Sequence, residues 1–209
     1  MDILIGCEES QIVCESFRAL GFKAYSCDLK PTSGKHPEWH LQMDVFDALK
    51  LKNWAAGIFF PDCTHLSSAG APSWKEKQAD GRQQAAIDFV LRLWNCGLPF
   101  VSVENPTGIL STVWRKPDQI INPFQFGEPY RKRTCLWLKN LPRLVPTSIV
   151  EPTHHWTSNS YHGGKRKDGT RKKCSLPIRK AWCSAEERSK SFRGIADAMA
   201  AQWSSYACR

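Results

Sequence analysis

The chain has 209 residues, 42% of them hydrophobic, enough for one packed domain of ordinary size with a small appendage. Lys and Arg total 29 against 20 Asp and Glu, and the resulting net charge of +9 favours a polyanionic partner. No apolar run approaches the roughly twenty residues of a membrane span, the start Met1-Asp2-Ile3 lacks a basic leader, and nine scattered cysteines argue against a secreted disulfide framework.

Residues 1–141 read as alternating strand and helix. Ile3-Leu4-Ile5 is a short apolar run that stops at Gly6-Cys7-Glu8-Glu9, the pattern of a buried parallel strand. A helix follows, with Val13, Phe17 and Leu20 on one stripe and Gly21 in the place of a C-terminal cap. A second strand, Ala24-Tyr25-Ser26-Cys27, ends on Asp28. Past the turn Pro31-Thr32-Ser33-Gly34 a third short strand ends near Asp44, and Gly57-Ile58-Phe59-Phe60 is the fourth. Residues 74–94 give the clearest helix, its apolar face built from Ala86, Ile87, Val90, Leu91 and Trp94. Phe100-Val101-Ser102-Val103 is the next strand. This rhythm predicts an α/β fold, an open, mostly parallel sheet with helices on both faces.

Beyond residue 141 the helical period fades. Residues 142–183 are expected to form a small irregular lobe or loop, polar and basic, whose Lys165, Arg166, Lys167, Arg171, Lys172 and Lys173 are candidates for holding nucleic-acid phosphates. Residues 184–209 close the chain with a helix expected over 184–206, capped by Ser184 with Glu187 three residues on. Its stripe of Phe192, Ile195, Met199, Trp203 and Tyr206 is expected to pack back on the sheet. The nine tryptophans are either core anchors or stacking platforms.

In a doubly wound sheet the loops beyond the carboxyl ends of the strands form the ligand crevice. Those ends carry Gly6, Cys7, Glu8 and Glu9, then Asp28, Asp44, Pro61-Asp62-Cys63-Thr64 and Glu104-Asn105-Pro106. A glycine after the first strand lets a ligand approach the backbone, and an acid after the second hydrogen-bonds a ribose diol. Neither G-x-G-x-x-G nor G-x-x-x-x-G-K-[ST] is present, which favours a ligand with one nucleoside and no phosphates. S-adenosyl-L-methionine meets that description. A cysteine thiolate beside a carboxylic acid suits attack on an electron-poor ring with protonation elsewhere on that ring.

In order and separation, these motifs resemble those of the DNA cytosine-5 methyltransferases, most nearly the short phage-encoded C-5 cytosine-specific DNA methylase-like proteins. Gly6, Cys7 and Glu8 stand where that family's first motif meets the methionine part of the cofactor. Asp28 matches its ribose-binding acid and Asp44 the acid near the adenine. Pro61-Asp62-Cys63 resembles Pro-Pro-Cys, whose cysteine is the nucleophile, and Glu104-Asn105-Pro106 resembles Glu-Asn-Val, whose glutamate engages the target base. Residues 126–134 resemble the Gln-x-Arg-x-Arg motif, with Tyr130, Lys132 and Thr134 in the three named places. Ile195-Ala196-Asp197-Ala198-Met199 resembles the closing Ile-Gly-Asn-x-Val segment, with Asp197 in the place of the cofactor-side asparagine.

The resemblance implies a Rossmann-like class I S-adenosylmethionine-dependent methyltransferase sheet and an enzyme that methylates carbon 5 of cytosine in DNA. Cys63, Glu104 and Lys132 would be catalytic, and Gly6, Cys7, Glu8, Asp28, Asp44, Pro61 and Asp197 would hold S-adenosyl-L-methionine. The Cys63 thiolate needs a lowered pKa, expected from Arg133, Lys132 or His65. The partner would be DNA and not a membrane, and the place the cytoplasm, the host's if the chain is phage-encoded. The alternatives are a related pyrimidine-modifying enzyme acting on nucleotide or RNA, and a catalytically inactive DNA-binding relative. A zinc module from His154, His155, His162, Cys174 and Cys183 lacks any compact pair of ligands, so no metal is expected.

Overall fold

Apolar residues on alternate positions decide how the strands sit. In the computed structural model, which describes residues 2–156 and 190–207, Ile3 and Ile5 of β1 (Asp2–Gly6) face one layer of helices and Leu4 faces the other. Burial on both faces is what makes β1 a continuous apolar run. Its neighbours are β2 (Lys23–Asp28) and β4 (Trp54–Phe59), with β3 (His40–Gln42) outside β2 and β5 (Phe100–Pro106) outside β4, all parallel. Two further strands, β8 (Thr134–Lys139) and β6 (Gln119–Ile121), complete a seven-stranded sheet of order β3-β2-β1-β4-β5-β8-β6. β8 runs antiparallel to both β5 and β6. The chain is a Rossmann-like α/β fold whose strand order reverses between β1 and β4.

One face of the sheet is covered by α1 (Ile12–Ala19) and α6 (Arg193–Ala207), which bring Val13, Phe17, Ile195, Met199 and Trp203 onto Ile3, Ile5 and Ile58. The other is covered by α2 (Val45–Ala48) and α4 (Arg82–Trp94), which set Val45, Ile87, Val90 and Leu93 against Leu4, Phe59 and Val103. A short parallel pair, β7 (Tyr130–Arg131) and β9 (His154–His155), lies apart from the main sheet. Trp54, Trp137 and Trp203 are core anchors. No helix among the described residues is long and apolar enough to cross a membrane.

Several expectations need correcting. The helix expected over 74–94 is two helices, α3 (Trp74–Ala79) and α4, because Gly81 takes φ 82° and Asp80 caps the new start through Arg82 N. Leu20 leaves the α1 stripe and is 52% exposed, since the helix has ended and Gly21, at φ 85°, turns the chain away. The closing helix runs over Arg193–Ala207, with residues 190–192 outside it. Phe192 is taken into a ring cluster with Tyr130 and Trp156, and Gly194 passes so close to the Phe126 carbonyl that a Cβ would lie 1.8 Å from its oxygen. Ser184 and Glu187 lie outside the described residues, as does the basic run 165–173.

Trp203 joins the closing helix to the rest of the fold: its ring is 1% exposed and its Nε1 donates to Pro142 O at 2.9 Å. Trp203→Ala is expected to cost about 3–5 kcal/mol by urea unfolding, the range for deleting a buried ring.

Candidate active site

The β1/β4 reversal opens a crevice of about 510 Å³ at the carboxyl ends of the strands, a volume suited to a drug-sized ligand. Cys7, Glu8, Asp28, Asp44, Pro61, Cys63, Glu104 and Lys132, eight of the residues singled out in the sequence, all line it. Gly6 lies beneath the floor, where a Cβ would come 2.6 Å from the Phe59 ring and 2.7 Å from Val45. Asp197 lies elsewhere. Its carboxylate accepts from Ser16 Oγ at 2.6 Å, fastening α6 to α1, and it takes no part in the lining.

One half of the crevice is acidic. Asp28 turns the chain after β2 by accepting from Lys30 N, and Asp44 caps α2 by accepting from Phe46 N; each uses Oδ1. With Asp62, both push up the Cys7 thiol, whose main cause of elevation is burial. Met43, Val45, Phe60 and Phe89 supply apolar wall between the carboxylates. Glu8 commits both carboxylate oxygens to backbone, accepting from Val13 N at 2.6 Å and Cys14 N at 3.2 Å and closing the start of α1. Burial outweighs those bonds and holds its carboxyl at about 7.

The other half carries the reactive groups. β4 and β5 are neighbours, in register from Ala56↔Phe100 to Phe59↔Val103, so Cys63 and Glu104 leave adjacent strand ends. Buried Asn105 donates from Nδ2 to Pro61 O at 2.9 Å and ties the two ends together. Asp62, in place of a second proline, makes the turn itself by accepting from Thr64 N (3.0 Å) and Thr64 Oγ1 (2.7 Å). A zipper follows: Ser67 pairs with Gly108, and Ile109 N donates to Leu66 O. At Gly108 a Cβ would lie 2.0 Å from Leu66 O, so only glycine lets the two segments meet.

The expected lowering of the Cys63 thiol is not seen. Burial first, then the charges of Glu104 and Asp62, push it up to about 11, and Lys132 opposes them. Arg133 acts on Cys135, not on Cys63. Glu104 is raised by burial too, while Lys132 and a hydrogen bond from Thr134 favour its charged form. A thiol and a carboxyl that each raise or respond to the other, with an ammonium acting on both, form one coupled group.

Sequence reasoning missed Lys77 and Gln83, which reach the Cys63 turn from α3 and α4. Lys77 Nζ donates to Thr64 O at 2.8 Å and Gln83 Nε2 to His65 O at 3.1 Å. Nothing in the local pattern marks these polar residues of a helical stretch as 9% and 2% exposed. Neither a protein-family profile nor a curated protein matches the chain. Among solved structures, it is similar to an E. coli prophage-encoded protein described as a DNA modification methyltransferase, at 15% identity and a TM-score of 0.46, over 73% of this chain and 52% of that one. It is also similar to the S. pombe Dnmt2 methyltransferase, at 14% identity and a TM-score of 0.43, over 68% of this chain and 50% of that one. The chain thus spans about half the length of these structures.

A carboxyl raised on folding binds protons more tightly in the native state, so Glu8 contributes stability that is complete below its unfolded value of 4.5 and is lost as pH rises through about 7. Glu8→Gln keeps an acceptor for α1 and removes that loss. Urea titrations should show the variant stabler than the parent at pH 8, by on the order of 2 kcal/mol, and the gap should close by pH 4.

Proposed function

We propose that this chain is an S-adenosylmethionine-dependent methyltransferase that modifies carbon 5 of cytosine in DNA through covalent catalysis by Cys63. The observation that carries the reading is the coupled group of Cys63, Glu104 and Lys132 at two adjacent strand ends of one crevice. The acidic half fits the cofactor. Asp28 and Asp44 each commit Oδ1 to a turn, which leaves Oδ2 of Asp28 for a ribose hydroxyl and Oδ2 of Asp44 for the adenine. The apolar wall suits a purine, and the negative potential felt by Cys7 suits a cationic sulfonium. When bound, S-adenosylmethionine supplies an electrophilic methyl group and departs as a neutral thioether.

Carbon 5 of cytosine is a weak nucleophile until carbon 6 is attacked. Cys63 Sγ gives its proton to water and bonds to carbon 6, while Glu104 hands its own proton to ring nitrogen 3, which makes carbon 5 enamine-like. A raised carboxyl pKa helps here, because only the protonated acid can donate. The raised thiol means that the thiolate forms when substrate arrives and is not held in reserve. Lys132 limits the negative charge that the pair accumulates. After methyl transfer carbon 5 gives its proton to water, the Sγ–carbon 6 bond breaks with its electron pair leaving on sulfur, the thiolate is reprotonated from water, and Glu104 takes back the proton from nitrogen 3. A base in duplex DNA must leave the stack to reach this crevice, at about a few kcal/mol. The basic run 165–173, outside the described residues, is proposed to hold phosphates.

Two experiments test the reading. DNA containing 5-fluorocytosine should trap the protein covalently in the presence of S-adenosylmethionine, because fluorine cannot leave carbon 5 as a proton does, and Cys63→Ser should not be trapped. Mass spectrometry of nucleosides from treated DNA, RNA and free nucleotide should find 5-methylcytosine in the DNA alone; product in the RNA or nucleotide arm would move the substrate. For the cofactor, Asp28→Ala should weaken binding by calorimetry by about 1–3 kcal/mol, the range for a hydrogen bond to a charged group. Unchanged affinity would put the ribose elsewhere.

A further inference from the structure

The turn that carries Cys63 is held at almost every carbonyl. Pro61 O accepts from Asn105, Cys63 O from Leu66 N and Ser67 N, Thr64 O from Lys77, His65 O from Gln83 and Leu66 O from Ile109 N. Four of these donors come from the turn itself or from β5 and the segment after it. The other two come from a different part of the fold, the helices α3 and α4.

Lys77 is the unexpected one. The residue as a whole is 9% exposed, its ammonium bonds to a neutral carbonyl, and it joins no ion pair among the described residues. Burying a charge without an opposite charge is costly, so such a group persists where its donor strength is needed. The path to Thr64 O is kept open by Gly70, where a Cβ would stand 3.1 Å from Nζ and 3.3 Å from that oxygen. Gln83, 2% exposed, is itself oriented: its Oε1 accepts from Gln78 Nε2 at 3.0 Å, which leaves Nε2 directed at His65 O.

We propose that Lys77 and Gln83 are positioning residues for the nucleophile, fixing the Cys63 turn from the helix layer so that Sγ is held in its half-buried seat facing Glu104. The proposal rests on Cys63 being the nucleophile. Asn105 sets where the turn starts, and the two helix residues set how it is rotated. Neither touches substrate. Loss of either donor leaves Cys63 in place in the chain and free to swing out of its seat, where water lowers the cost of the thiolate.

The test uses the full chain with Lys77→Met, which keeps the buried stem and removes the donor, and Gln83→Leu as an independent second variant. Each is checked for its melting temperature and for S-adenosylmethionine affinity by calorimetry. Two rates are then read. Alkylation of Cys63 by iodoacetamide at pH 8, followed by peptide mapping, should rise about tenfold as the thiol leaves its dry seat. Single-turnover trapping on 5-fluorocytosine DNA at saturating DNA should fall about a hundredfold, the scale for misplacing a reacting atom. A reagent-reactive but substrate-incompetent cysteine is an outcome that simple destabilisation does not give. If both variants are folded and alkylate and trap at parental rates, the proposal is wrong. If the parent protein itself is never trapped, the methyltransferase reading fails, and the alkylation rates still decide the positioning role.

Discussion

Everything in the crevice depends on one buried hydrogen bond, Asn105 Nδ2 to Pro61 O. β4 and β5 stop pairing at Phe59 and Val103, just before the residues that matter. Without a further link, the ends would diverge, and Cys63 and Glu104 with them. The amide supplies that link across the gap. A neutral hydrogen bond contributes about 1 kcal/mol net, but an amide left unsatisfied in the interior costs about 1–3 kcal/mol. The bond therefore acts less as a source of stability than as a constraint that neither strand end can evade. The Ser67–Gly108 pairing then carries the constraint onward along both segments.

The two halves of the crevice use charge in opposite ways. Around Cys7 the carboxylates of Asp28, Asp44 and Asp62 reinforce one another, and no thiolate is sustained there. Around Cys63 burial and two carboxylates, Glu104 and Asp62, raise the thiol, and the Lys132 ammonium opposes them. Cys7 and Cys63 thus share one cavity, and only the second has a cation among the charges that act on it. Glu8 adds a third case, a carboxyl used wholly for structure at the start of a helix.

How much of this was legible in the sequence differs by kind. The five parallel strands were, because runs such as Ile3-Leu4-Ile5 and Gly57-Ile58-Phe59 are apolar on both faces, and only a doubly covered sheet asks for that; β6 and β8 were not. The strand-end residues were legible as a set, since topology alone sends them to one edge. What each carboxylate does was not: Glu8, Asp44 and Asp197 look alike in sequence, yet backbone donors make the first two cap helices, and a side-chain hydroxyl distant in sequence, that of Ser16, takes the third. The break at Gly81 is not marked by the apolar face, which begins only at Ala86. Lys77 was invisible for a different reason. A buried lysine differs from an exposed one only in what lies over it, and the carbonyl it serves is thirteen residues away.

In a parallel sheet only the residues that follow a strand reach the ligand edge. Because β8 is antiparallel, with Thr134 opposite Pro106, it delivers the residues that precede it, and that is how Lys132 arrives beside Glu104. The crevice is therefore assembled out of step with synthesis. A nascent chain that has left the ribosome through β5 already holds the thiol and the acid, but its ammonium comes into place only when β8 inserts between β5 and β6. Until then the thiol and the acid stand at their strand ends without the cation that opposes their charge.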